Sequence, residues 1–172
     1  MWNQEALGMQ ILATDAKGGE FSGDAPHLDN TVIAALNTFE LSKKKIKDSI
    51  DNLDIPPDAK FMLHSVTDKT IEVVIGTGKV LIWIGHKILE VVLFLGRNFP
   101  NATFGMIFGA VIGILVSSIP IIGWALGGLV GSAAVLGAIL GLGRGAIDDF
   151  KALANDPRVV EACNQFNSLR TI

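Results

Sequence analysis

One cysteine, Cys163, is all this 172-residue chain has. That excludes an internal disulfide and any cysteine-based metal site built from a single chain. Histidine is nearly as scarce: His27, His64 and His86 stand apart, with no H-x-x-x-H or H-E-x-x-H spacing. Nothing therefore favours a bound metal. Basic charge is thin, with 14 Lys and Arg against 17 Asp and Glu, a formal net charge of −3. No patch exists of the kind a nucleic-acid partner requires. The first residues, Met-Trp-Asn-Gln-Glu-Ala-Leu-Gly, lack a basic stretch followed by an apolar run, so no secretory signal is expected there.

Motifs that carry chemistry are missing too. Gly76-Thr-Gly-Lys79 follows Val73-Val74-Ile75, but Val73 stands where a phosphate loop needs its first glycine. Val80 stands where it needs Ser or Thr. Gly141, Gly143 and Gly145 do not complete a dinucleotide fingerprint. Cys163 lies on an apolar helical face with no positioned base, which marks a core residue rather than a nucleophile. The sequence indicates no enzyme and no cofactor.

The longest absence is of charge. Between Arg97 and Arg144 lie 46 residues without one, and Phe99–Gly143 is the heart of that stretch. Pro120 divides it. Each half has about 20 residues, enough at about 1.5 Å per residue to cross a hydrocarbon core of about 30 Å.

What the stretch does contain is glycine in register. Gly105, Gly109 and Gly113 recur every four residues, and Ser117 continues the series. Gly123, Gly127 and Gly131 repeat it after the proline, and Ala133, Gly137, Gly141 and Gly145 form a further register. Residues four apart share a helix face, and a face of glycines lets another backbone approach closely. Glycine costs about 1 kcal/mol in a helix relative to alanine, so such a series needs a packing reason. A hairpin buried in a compact protein and a hairpin that enters a membrane both supply one. The length favours the membrane.

The flanks read as amphipathic helices. In residues 1–70, Glu5–Ala13 is expected to form a short helix and the turn-rich Asp15–Pro26 a loop. Asp29 or Asn30 caps a helix from Thr31 carrying Val32, Leu36, Phe39, Ile46, Ile50 and Leu53, which Pro56-Pro57 ends. Its Lys43, Lys44, Lys45 and Lys47 are a solvated face or a contact for anionic headgroups. Pro57 opens a short helix with Phe61, Met62, Leu63 and Val66 as its apolar side.

Residues 70–97 read as one helix. Glu72, Lys79, His86 and Glu90, with Gly76, Trp83 and Arg97 between and beyond, keep a four-three spacing that places them on one stripe. Those four are the candidate pore-lining residues, because ionisable groups at membrane depth face a cavity or a partner. The β-branched Val73, Val74, Ile75, Val80, Ile82 and Ile84 leave strand as the alternative. In residues 144–172, Arg144–Ala154 is amphipathic. Asp156 then caps a last helix opening at Pro157, with Val159, Val160, Cys163, Phe166 and Leu169 as its apolar face. The fold expected is all-α: a single domain of six to eight helices around a hydrophobic glycine-zipper hairpin.

By pattern, Phe99–Gly143 resembles the hydrophobic helical hairpin of colicin pore domains. The registers Gly105-Gly109-Gly113 and Gly123-Gly127-Gly131 look like those of glycine-zipper toxins delivered between bacteria, notably type VI secretion effectors. The chain departs from colicins in having no receptor-binding or translocation region. The resemblance implies an antibacterial pore-forming toxin that inserts the hairpin into a target inner membrane and dissipates its ion gradients. It further implies cytoplasmic synthesis and export by a dedicated secretion system. Its implied partners are the lipid bilayer, a cognate membrane immunity protein, a chaperone or secretion component shielding the hairpin, and further copies of the chain in the membrane. A resident two-span scaffold or holin-like protein, or a soluble helical binding module, are the competing functions.

Overall fold

Alternation, not helical period, governs the start of the chain. The computed structural model describes residues 9–14, 18–76, 78–99, 103–130 and 152–171, with 127–130 followed along the backbone only. Strand β1 (Met9–Thr14) buries Ile11 and Ala13 and exposes Gln10 and Thr14. Strand β2 (Glu20–Ala25) pairs with it antiparallel, Ile11 opposite Gly23. The short helix and the loop expected here are both corrected. Six residues of period two outrank a weak helical pattern, and a polar strand is tolerated at a sheet edge.

Three helices follow. Helix α1 (Asn30–Leu36) is capped by Asp29, whose carboxylate accepts from the Val32 amide at 2.8 Å. Helix α2 (Lys43–Asp51) is capped by Ser42, which accepts from the Lys45 amide at 3.1 Å. The single helix expected from Thr31 to Leu53 is thus two, joined by residues 37–42. Helix α3 (Pro57–Thr67) starts with its proline in the first turn. It buries Ala59, Met62, Leu63 and Val66, and that face turns Phe61 out to 75% exposure.

The stretch Thr70–Gly96 is not one helix. It forms strand β3 (Ile71–Ile75), strand β4 (Gly78–Ile82) and helix α4 (Ile84–Asn98). Ile75 pairs with Gly78, leaving two residues for the turn, and Gly76 takes φ +59° there. Glycine adopts that left-handed conformation freely, and the β-branched residues around it prefer strands. Together these signals overrule the polar stripe. β3 also pairs antiparallel with β1, giving a four-stranded antiparallel sheet in the order β2-β1-β3-β4. The all-α bundle is therefore replaced by a mixed α/β fold.

The uncharged stretch supplies helix α5 (Phe104–Ser118), capped by Thr103, and helix α6 (Pro120–Val130). The break falls at Ile119-Pro120, where the sequence places it. α6 lies over β1 and β2, while α5 packs on α4 and on helix α7 (Pro157–Asn164). Asp156 caps α7 by accepting from the Arg158 amide at 2.9 Å, and a 3₁₀ turn, Asn167–Leu169, follows. Val159, Cys163, Phe166 and Leu169 are buried as expected, whereas Val160 is 39% exposed. The core gathers Ile11, Leu63, Ile82, Ile88, Phe108 and Phe166 from every layer.

Two close approaches fix the layers. A Cβ on Gly85 would collide with the Val66 carbonyl, and the Gly85 amide donates to Lys69 O at 3.1 Å. The start of α4 thus crosses the end of α3 backbone to backbone. A Cβ on Gly23 would meet Thr171, so the last described residues press on β2.

Candidate functional site

The α5–α6 hairpin is the candidate site with the clearest origin in sequence. Among the described residues, no side chain of either helix makes a hydrogen bond or ion pair to another element. Ser117 donates within its own helix, to Gly113 O and Ile114 O. That engages its hydroxyl proton within the helix, without a tie to another element. Among the described residues the hairpin is held by apolar contact: Ile107, Phe108, Val111, Leu115, Ile121 and Leu126 are buried.

Its corner, however, reaches the surface. Val116 is 41% exposed, Trp124 37%, and Ser117 and Pro120 are exposed as well. Trp124 leans on Phe21 of β2, ring centroids 5.9 Å apart. Trp124 belongs to no glycine register, and its signal in the sequence is that it is the only aromatic between Phe108 and Phe150. Such a ring suits the boundary between water and hydrocarbon.

The glycine registers are divided by their surroundings. Gly105 and Gly109 are buried. Gly113 is exposed, with nothing within 4 Å of where a Cβ would sit. Gly123 faces Val116, whose Cγ1 is 3.3 Å from the Cβ position. Gly127 is described by backbone only, and Gly131, Gly137 and Gly141 lie outside the described residues. α5 has 15 residues, about 22 Å of helix, short of a hydrocarbon core of about 30 Å. No helix of the described residues is long and apolar enough to cross a membrane.

The four residues read as a pore lining do not share a helix. Glu72 lies on β3 and Lys79 on β4, diagonal neighbours on one sheet face, with Nζ 3.8 Å from the carboxylate. A separation of seven residues returns to the same face of a helix, and it also spans a two-residue hairpin. The spacing was therefore degenerate.

His86 and Glu90 do share α4, and there they hold the connection between α1 and α2. The Glu90 carboxylate accepts from the amides of Glu40 and Leu41, both at 3.0 Å. The His86 ring lies 2.8 Å from Leu41 O through Nε2 and stacks on Phe39 at 3.7 Å between centroids. Lys87 Nζ donates to Thr38 O at 2.8 Å and sits 3.6 Å from Glu90. The Lys87 and Glu90 side chains are only 13% and 12% exposed. Asn37 completes the arrangement: its amide donates to Leu81 O at 2.9 Å and accepts from the Trp83 amide at 3.0 Å. The sequence reading did not find Asn37, because its partners are more than 40 residues away.

The lysines of α2 are mostly spoken for. Lys43 and Lys47 meet Asp68 at 2.5 and 3.3 Å, and Lys44 meets Asp48 at 3.7 Å. Partial burial acts to raise the Asp68 pKa, but hydrogen bonds and charge from Lys43 and Lys47 outweigh it. Its carboxyl thus lies below the ordinary range. Burial alone pushes the Cys163 thiol up to about 11, which leaves it protonated and unreactive at neutral pH. His64 pairs with Asp51 at 2.7 Å. No group of three metal-ligating side chains occurs among the described residues. Compared with known proteins, the chain matches no family model, no curated protein and no solved structure.

Proposed function

We propose that the protein stores the α5–α6 hairpin in a folded α/β domain and releases it into a target inner membrane as a pore-forming toxin. The observation that carries this reading is the hairpin's corner. Val116, Ser117, Pro120 and Trp124 stand at the surface within a stretch that has no formal charge. A bilayer meets an uncharged wedge there, and among the described residues no ion pair has to be broken for it to leave. Removing its apolar area from water favours insertion by about 25 cal/mol per Å². Helical backbone groups satisfy one another, which lipid requires. To span, α5 must grow by about five residues. Gly113, open in the folded domain, then offers a surface for another helix or another copy. The lipid bilayer, a shielding secretion component and a membrane immunity protein are the partners this function calls for.

A soluble binding module is the second reading, and the cover that α6 gives to β1 and β2 favours it, since that makes the hairpin part of the core. Conductance across a planar bilayer separates the two. Discrete current steps from the wild type, lost in Gly113→Ile while the circular dichroism spectrum is kept, support the toxin. Gly113 suits this test better than Gly109, because a side chain at Gly113 enters open space. A silent bilayer, with the protein left in solution, supports the module.

A further inference from the structure

A groove of about 540 Å³ runs between α2 and α4, away from the hairpin's corner in sequence but at its root. Lys45 and Arg97 line it from opposite elements. These two cations have no ion-pair or side-chain hydrogen-bond partner among the described residues, unlike Lys43, Lys44 and Lys47 beside them. Asn52, also in the lining, has a side-chain amide with no partner there either. Ser49 adds a hydroxyl oxygen whose hydrogen is engaged by Lys45 O at 2.8 Å. The one carboxylate in the lining, Asp48, is paired with Lys44. Leu41 and Leu93 supply an apolar wall.

We propose that this groove binds a phosphate group. A guanidinium fork, an ammonium and a free amide donor match the acceptors of a phosphate. The apolar wall suits an ester carried on a glycerol or longer stem. Two sources share this chemistry: the headgroup of an anionic phospholipid and a free phosphate ester. Arg97 is the last charge before the uncharged stretch and sits in the last turn of α4. A headgroup held there fixes the root of the hairpin at the level of the membrane surface. The lipid source rests on the pore-forming reading, whereas the phosphate site does not.

The full-length protein is titrated with inorganic phosphate and with glycerol phosphate while side-chain NMR signals of Asn52 and Arg97 are followed. In parallel its partition onto phosphatidylglycerol and phosphatidylcholine vesicles is measured, together with dye leakage. Lys45→Gln and Arg97→Gln should each weaken phosphatidylglycerol binding about fivefold, and the double variant about thirtyfold. Lys69→Gln, an equal loss of charge outside the groove, should change it by less than about twofold. Shifts with free phosphate that vanish in the double variant support a soluble ester as well as the headgroup. Loss confined to phosphatidylglycerol vesicles supports the lipid alone. Wild-type signals that move with neither free ligand while the double variant binds phosphatidylglycerol as wild type does, or shifts that persist in the double variant, overturn the proposal. Leakage tells the two readings apart: full leakage alongside signals that no phosphate moves and phosphatidylglycerol binding that the double variant leaves unchanged keeps the toxin and discards the groove, and phosphate binding without leakage does the reverse.

Discussion

The loop between α1 and α2 and the α5–α6 hairpin are held by opposite means. The loop is tied by directed bonds from Asn37, His86, Lys87 and Glu90, each aimed at a backbone group or a ring. The hairpin has no such tie to any other element among the described residues and relies on burial. Burial has no direction. Moved from the protein interior into hydrocarbon, the hairpin exchanges one apolar surrounding for another and loses little. Moved the same way, Lys87 and Glu90 would each lose hydrogen bonds that lipid cannot replace. One chain thus holds a part that is fixed by geometry and a part that only its solvent keeps in place.

The largest expected effect breaks the fixed part. Glu90→Ala leaves Lys87 without its counter-ion and the Glu40 and Leu41 amides without an acceptor. It should lower stability by about 3–5 kcal/mol, read from a urea unfolding midpoint. Gly85→Ala comes next, because its Cβ meets the Val66 carbonyl and neither backbone can yield cheaply. About 2–3 kcal/mol should be lost in the same measurement. A neutral result there would place α4 further from α3 than the structure does.

The third change turns the comparison round. Gly113→Ala places a methyl in open space on an exposed turn of α5. It should raise the folded stability by up to about 1 kcal/mol while reducing dye leakage from vesicles. A gain in stability with leakage unchanged would remove the register from the account of function.

The smallest effect is electrostatic. The Asp68 carboxyl is depressed in the folded state, so it stabilises at neutral pH. That contribution is lost as pH falls below the ordinary carboxylate range and through the folded value. Asp68→Asn should therefore flatten the acid limb of the stability profile, by about 1 kcal/mol or less for so exposed a group. Cys163 gives the reverse sign. Its raised thiol makes the fold lose stability as pH climbs from 9 towards 11.

These residues also show which signals a sequence carries. Asp29, Pro57, Pro120 and Asp156-Pro157 mark helix starts and a break by chemistry confined to a few neighbours, and they were legible. The β3–β4 hairpin was not, because Glu72, Lys79, His86 and Glu90 satisfy helical spacing while lying on two strands and a helix. The discriminating signal is local, Gly76 between β-branched residues, and in the structure that glycine takes φ +59° in the turn. β1 and β2 were lost for a related reason: six residues with two buried positions give alternation little statistical weight. The ties of Glu90 and Asn37 reach across 44 to 50 residues, and no periodicity announces a bond from a side chain to a distant backbone. The uncharged hairpin was visible as an object, though its packing against β1 and β2 was not.

The bond pattern of Asn37 has one more consequence. Its amide meets Leu81 O and the Trp83 amide as a peptide of an adjoining strand would. The sheet thus has four strands and a single residue of a fifth. Beside it, Val80 and Leu81 lie exposed on an edge that a neighbouring molecule's strand would otherwise extend. By occupying the Leu81 carbonyl and the Trp83 amide, Asn37 leaves that part of the edge with less to offer an added strand.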